Sequence, residues 1–290
     1  MEIKNFEIGD FIIGIPKDIG PRILKFSLKK SPEKNVFGIV PDFVIETEEG
    51  KWHIFGGHRV WTSPEANPRS YSLDDKPVKI EERKEYIKIY GNPEIQNSVQ
   101  KEIEVKNKNG EIEVNHIIKN IGRWPIKFSC WCLSVMKKGG FAIIPLKPKK
   151  VDKEGLLPDR RITLWQYTKL ADKRMMLDNN YIFVKQDEKI KEPFKIGLMI
   201  NPNWAGYYVD GQIFIKKTIP IEGEYPDFGC NVEVFTNSEF LELETLSPFK
   251  IVEPQDYIEH KEIWNLIEVG KIKPDEKEIE KIIGACGLNG

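Results

Sequence analysis

Cysteine is scarce in this chain, with four in 290 residues. So few make no disulfide scaffold. Met1–Glu7 lacks the apolar core of an export signal, so a reducing cytoplasm is the expected compartment. Net charge is also nearly absent: 44 Lys and Arg oppose 45 Asp and Glu, for −1. No global basic field draws a polyanion, and no nucleic-acid partner is expected. No apolar run approaches the ~20 residues that cross a bilayer, so no membrane partner is expected either. A phosphate-cradling loop of the strand–GxxxxGK(S/T)–helix type is missing, as is a GxSxG elbow. There is no Pro/Gly/Ser-rich linker and no internal repeat.

Aromatic and apolar mass is plentiful. Hydrophobic residues are 40% of the chain, with seven Trp, nine Tyr and fifteen Phe. That suffices for a sizeable core and excludes wholesale disorder. Heavy Lys, Glu and Ile usage with few His and Met is a thermophile-type composition.

Strand signals dominate. Val99 to Asn107 alternates, Asn109-Gly110 supplies the two positive-φ residues of a tight type I′ turn, and Glu111 to Lys119 alternates back. Further runs fall at 126–136, 141–144, 181–185, 195–200, 212–217, 230–235, 240–244, 249–252 and 257–267. No helix-length amphipathic pattern alternates with them, which excludes a parallel α/β sheet. One helix is expected, within 273–287: Pro274 opens it, Asp275 and Glu276 load its first turn, Ile279, Ile282, Ile283 and Cys286 form its stripe, and Gly287 ends it. The Lys/Pro-rich stretch Pro145 to Asp159 reads as a long excursion of the kind that borders sites. The expectation is an all-β chain, with 1–290 forming one large antiparallel domain capped by that helix.

Two segments carry candidate chemistry. Phe55-Gly56-Gly57-His58-Arg59-Val60-Trp61-Thr62-Ser63-Pro64-Glu65 reads as an irregular loop with four recognition chemistries in eight residues. An indole packs on the C–H face of a sugar, while Arg and Glu bond hydroxyls. Taken singly, His58 and Trp61 are ordinary surface or core residues. In Phe240-Leu241-Glu242-Leu243-Glu244-Thr245, alternation puts Glu242 and Glu244 on one face, about 6.6 Å apart along the strand. If that face lines a cleft, crowding raises at least one carboxyl pKa. If it meets water, this is an ordinary amphipathic strand, which is the default. Asp227 sits in a turn and suits a hydroxyl or a turn cap equally. Arg22 and Lys216 are candidates for an anionic group, and Trp131 and Trp204 are candidate sugar platforms or core. His116 shares a face with Ile112, Val114 and Ile118 and reads as structural. Cys130 and Cys132 lack the second ligand pair of a metal site.

Leu243-Glu244-Thr245 near the end, and Gly56-Gly57 followed by Trp61 near the start, resemble the galactose mutarotases (aldose 1-epimerases). Gly20-Pro21-Arg22-Ile23, Pro64-Glu65, Gly229-Cys230-Asn231 and Glu244-Thr245-Leu246-Ser247-Pro248 extend the pattern toward an uncharacterised branch of that superfamily. The resemblance implies a β-supersandwich with a sugar-sized cleft, a small-molecule carbohydrate partner, and no metal or cofactor. It implies that Glu244 is the base taking the anomeric proton. Phe55 stands where mutarotases have one histidine, and Phe128–Ser134, which carries Trp131, supplies none for the second. His58 is then the nearby replacement for the acid, with Arg59, Trp61, Glu65, Asp227, Arg22, Trp131 and Lys216 shaping the site. The alternatives are a carbohydrate-binding module without turnover, or an epimerase or lyase acting on an acidic sugar. The oligomeric state stays open.

Overall fold

A computed structural model describes residues 1–200 and 203–285. Its strands are antiparallel throughout and form two large sheets, one of ten strands and one of eight, with a small three-stranded sheet and a two-stranded hairpin beside them. The expected hairpin is present: Val99–Lys108 pairs with Glu111–Asn120, and Asn109 and Gly110 both have positive φ. The expected runs also appear as Ile126–Met136, Tyr181–Lys185, Gln212–Thr218 and Tyr257–Glu268.

Three apolar layers explain the architecture. The main core lies between the two large sheets. It joins Ile103, Val114 and Phe214 of the ten-stranded sheet to Val60, Cys132, Ile196, Val234 and Leu243 of the eight-stranded sheet. A second layer covers the outer face of the ten-stranded sheet, where Ile279 and Ile283 of the helix Glu276–Ala285 pack with Phe183, Trp204 and Ile215. Asp275 caps that helix instead of belonging to it: its side chain accepts from the Glu278 N–H at 3.0 Å. Cys286 and Gly287 lie outside the described residues. The third layer covers the outer face of the eight-stranded sheet. Here the hairpin Ile39–Thr47/Gly50–Gly56 brings Trp52 and Ile54 over Trp61, Trp131 and Leu133. Both faces of the eight-stranded sheet are therefore buried. No helix is long and apolar enough to cross a membrane among the described residues.

Gly56 and Gly57 make the junction between hairpin and sheet. Both have positive φ, and a Cβ at either would meet a backbone carbonyl oxygen, Gly38 O at 2.1 Å or Ile23 O at 2.3 Å. The chain then enters the strand His58–Ser63, where an irregular loop was expected. Strand alternation sends His58 and Val60 inward and Arg59 and Trp61 outward.

His58 thus belongs to a polar network sealed inside the main core. The His116 Nδ1–H donates to the His260 carbonyl at 2.9 Å, so its Nε2 accepts from His58 Nε2–H at 2.6 Å, and Ser134 donates to His58 Nδ1 at 2.8 Å. Glu262 receives Lys216 at 3.0 Å, Trp264 Nε1 at 2.7 Å and the Thr245 hydroxyl. His58, His116 and Glu262 bring metal-type donor atoms together. Yet both ring nitrogens of each histidine are engaged, and the Lys216 ammonium already neutralises the carboxylate. His116 is structural, as expected from its face.

Burial, above all other influences, holds His58 well below the usual imidazole range, lowers His116, and lowers His260 to about 3. The three rings are thus neutral in the fold and take protons only on unfolding. Stability is full above the unfolded value near 6.5 and falls as pH drops below it, by about 1.4 kcal/mol per pH unit for each ring. His260→Gln should flatten that acid limb by about one such increment in urea unfolding curves; an unchanged slope would refute the account.

Candidate functional site

Five strands of the eight-stranded sheet align along one outward-facing line, four of them with a side chain and the fifth with Gly197. The pairings run Gly197 to Glu233, Glu233 to Glu244, Glu244 to Leu133, and Leu133 to Arg59. Directly opposed residues of an antiparallel ladder share a face and have Cβ atoms about 5 Å apart. Parallel lines beside it align Lys195 with Phe235 and Phe235 with Glu242, and Trp61 with Trp131. Each side chain alternates with a core residue on its own strand: Lys195 between Phe194 and Ile196, Glu233 between Val232 and Val234, Glu244 between Leu243 and Thr245.

The hairpin roof leaves a cavity of about 280 Å³ above these lines. Its walls are largely aromatic. Trp61 stands 5.3 Å from Trp52, 5.3 Å from Tyr71 and 5.5 Å from Trp131, all tilted or edge to face. Phe43, Phe235, Phe240 and Tyr167 complete the enclosure.

The polar floor has two parts. Arg59 Nη1 lies 2.8 Å from Glu242 Oε1, and the guanidinium rests over the Trp61 ring, 4.4 Å from its centroid. In the other part, Glu244 Oε2 accepts from Trp131 Nε1 at 2.7 Å and Lys195 Nζ at 3.0 Å. The same ammonium lies 2.7 Å from Glu233 Oε2, out of line for a directed hydrogen bond. Glu244 Oε1 is buried with no partner at all.

These contacts decide where protons reside. Burial pulls Lys195 down, but the Glu233 and Glu244 carboxylates together hold it well above the usual lysine range. It stays cationic. One ammonium serves two carboxylates, and only Glu244 also has an indole donor. Glu233 therefore takes the excess proton, raised well above the carboxylate range by desolvation that outweighs Lys195. Burial likewise raises Glu242 despite the neighbouring Arg59.

The cavity brings together Glu244, Arg59, Trp61, Trp131 and Glu65, the last at its rim, where it accepts from the Tyr71 hydroxyl. Five expected residues lie elsewhere. His58 is on the opposite face of its strand, inside the core, and faces His116 instead of Glu244. Lys216 is fully buried in that same network, bonding the Cys132 and Leu243 carbonyls at 3.2 Å each. Arg22 is sealed below the hairpin, with Nε 2.7 Å from Asp74 and Nη1 2.7 Å from the Ile54 carbonyl; it braces the roof. Asp227 does not line the cavity but an adjoining depression. Trp204 packs under the C-terminal helix. The segment 145–159 does not line the cavity; Trp165 and Tyr167 beyond it reach the site.

Lys195, Glu233 and Tyr167 are what sequence reasoning missed; Glu242, expected to share a face with Glu244 but assigned no role in the site, lies in its floor. Lys195 and Glu233 did leave a signal: each is a lone charge flanked by apolar residues in a short strand. Lys195→Met would leave the Glu244 carboxylate buried beside Glu233 with no counter-charge, at a cost of about 3–5 kcal/mol. Loss of the ammonium raises the pair's folded-state proton affinity above the unfolded one, and protonation relieves the unpaired charge, so the loss should shrink as pH falls from about 8 to 5. Melting curves that show a loss independent of pH would contradict the triad.

No protein-family model matches the chain, and no curated protein matches its sequence. Solved structures do share its fold. A TPR-domain containing protein from Parabacteroides distasonis superposes with a TM-score of 0.59 at 13% identity over 94% of this chain, which spans about half, 49%, of that one. A galactose mutarotase-like protein from Lactobacillus casei gives 0.55 at 7% identity, over 92% of this chain and all of its own. A galactose mutarotase related enzyme from Lactobacillus acidophilus gives 0.55 at 11% identity, over 94% and 100%. The two sheets, the roofed outer face and these superpositions together identify the architecture as the galactose mutarotase-like fold.

Proposed function

We propose that this protein binds a carbohydrate in the aromatic cavity and exchanges its anomers, with Glu244 as the base and Glu242 as the acid. One observation carries the reading: at the floor of an aromatic enclosure, Glu244 has one oxygen clamped by Trp131 and Lys195 and the other buried without a partner. A buried, unsatisfied carboxylate oxygen is costly unless a ligand hydroxyl completes it. Indole and phenyl faces suit the C–H faces of a pyranose, while Arg59 and Glu244 suit its hydroxyls.

The reaction then needs no group beyond the chain. Glu244 Oε1 removes the anomeric hydroxyl proton as the ring C–O bond breaks, and the ring oxygen takes a proton from Glu242. The open carbonyl rotates and the same steps run in reverse. Glu242 replaces His58 in the acid role because it faces the cavity from the same strand as Glu244, and its proton affinity is raised by burial. Lys195 keeps its proton too firmly to serve.

A second reading, binding without turnover, is favoured by the fact that no histidine lines the cavity among the described residues. An acidic sugar is disfavoured, since Arg22 and Lys216 lie away from the cavity and its lining includes Glu65 and Glu244.

Anomer exchange followed by proton NMR separates these readings. Glu244→Gln should slow exchange by about 10²–10⁴-fold while retaining sugar binding. Glu242→Gln should slow it too, and the wild-type rate should fall on the alkaline side at a pH above the ordinary carboxylate range, as Glu242 loses its proton. Saturable binding with no accelerated exchange of any aldose would leave the binding module. Exchange that survives Glu242→Gln would remove Glu242 as the acid.

A further inference from the structure

The cavity does not end at its rim. Ile45, Glu65 and Tyr71 line both the cavity and an open depression beside it, so the two spaces share a wall. The half-buried Trp165 forms part of the depression and is tied to the cavity floor, with Lys195 Nζ 4.7 Å from its ring centroid. Asp227 lies across the same depression on the turn before the Glu233 strand, and its charge reaches Glu233. At about 280 Å³, the inner cavity is at the lower end of the range for ligand sites and suits a single ring. A substituent leaving that ring can continue past Glu65 and Tyr71 toward Trp165.

Charge defines what that continuation accepts. Glu46, Glu65 and Asp227 line the depression, and no Lys or Arg lines it among the described residues. Within the cavity, Arg59 lies against Glu242 and Lys195 against Glu233 and Glu244, and neither cation lines the depression. The unpartnered Glu244 oxygen shows which end of this continuous site is built to receive a hydroxyl group. Trp165 supplies a flat face at the other end.

We infer that the site takes a glycan of two or more rings. The terminal ring sits in the cavity over Glu244, and the second ring, neutral or amino-bearing and never acidic, stacks on Trp165 between Asp227 and Glu65. This rests on the carbohydrate reading of the cavity.

The test is calorimetric titration of the full chain with monosaccharides and matched disaccharides of gluco, galacto and manno configuration. The second ring is supplied as neutral, amino and uronate forms at low and moderate salt. For the best configuration, the disaccharide should bind at least tenfold tighter than its terminal monosaccharide. The amino form should exceed the neutral one with a salt-dependent margin, and the uronate form should bind at least tenfold worse than the neutral one. Asp227→Asn should abolish the amino advantage, and Trp165→Ala should cut the disaccharide-to-monosaccharide affinity ratio at least fivefold. A general folding defect would lower both affinities and leave that ratio unchanged. Monosaccharide binding without disaccharide gain, or uronate binding equal to neutral, overturns the second subsite and leaves the carbohydrate reading intact. No binding by any sugar overturns both.

Discussion

One ammonium holds the site together. Lys195 is buried beneath an aromatic enclosure, where a lone charge would be expelled, and it stays because Glu233 and Glu244 stand on either side of it. The converse holds as well. Two carboxylates on neighbouring strands, opposite each other in register, repel unless a cation or a proton intervenes. The arrangement uses both: the cation, and a proton on Glu233. Trp131 breaks the symmetry by donating to Glu244 alone. That indole bonds one Glu244 oxygen, while neither Glu233 oxygen has a hydrogen-bond donor, and Glu233 is the neighbour that takes the proton.

The constraint extends through the sheet because both of its faces are covered. Between two apolar layers, any outward charge on these strands must find a partner or a ligand, and the pairs Arg59–Glu242 and Arg22–Asp74 follow the same rule. The inner face shows it too. Lys216 and Glu262 neutralise each other within a core that also holds three neutral histidines, each fixed by its hydrogen bonds. Such satisfied networks fix register, since a slip of one residue would exchange Glu244 for Leu243 and His58 for Arg59.

This dependence explains what was legible in the sequence. The Asn109-Gly110 turn and the strand at 126–136 depend on local chemistry and periodicity, and both could be read directly. Glu244 and Trp61 were legible as well, the first from its alternating strand and both from the resemblance. His58 was misplaced for a specific reason. Gly56-Gly57 and Pro64 bracket the segment as if it were a loop, whereas the glycines only turn the chain and the residues between form a strand of period two. Once His58 shares a strand with Trp61 at odd separation, the two cannot share a face. Lys195 and Glu233 were hidden differently. Their flanking apolar residues announce a strand with one buried face, but whether the other face meets water depends on the hairpin at 39–56, distant in sequence.

The same geometry bears on the choice between turnover and mere binding. Acid–base exchange of anomers requires two proton affinities pushed apart within reach of one ring. Here the group with a raised proton affinity is the Glu242 carboxyl, since no imidazole faces the cavity among the described residues. Burial outweighs the Arg59 cation beside it, and the Glu244 carboxylate on the same strand adds to the rise. Hydration lowers the proton affinity of a carboxyl raised by burial, whereas it raises that of a buried imidazole. Opening the hairpin roof would rehydrate Glu242, return it toward an ordinary carboxylate and remove the acid. On the proposed reading, catalysis would depend on closure by Trp52, Phe43 and their hairpin, and Arg22, which bonds the Ile54 and Gly56 carbonyls of that hairpin from beneath, would support the chemistry without touching the ligand.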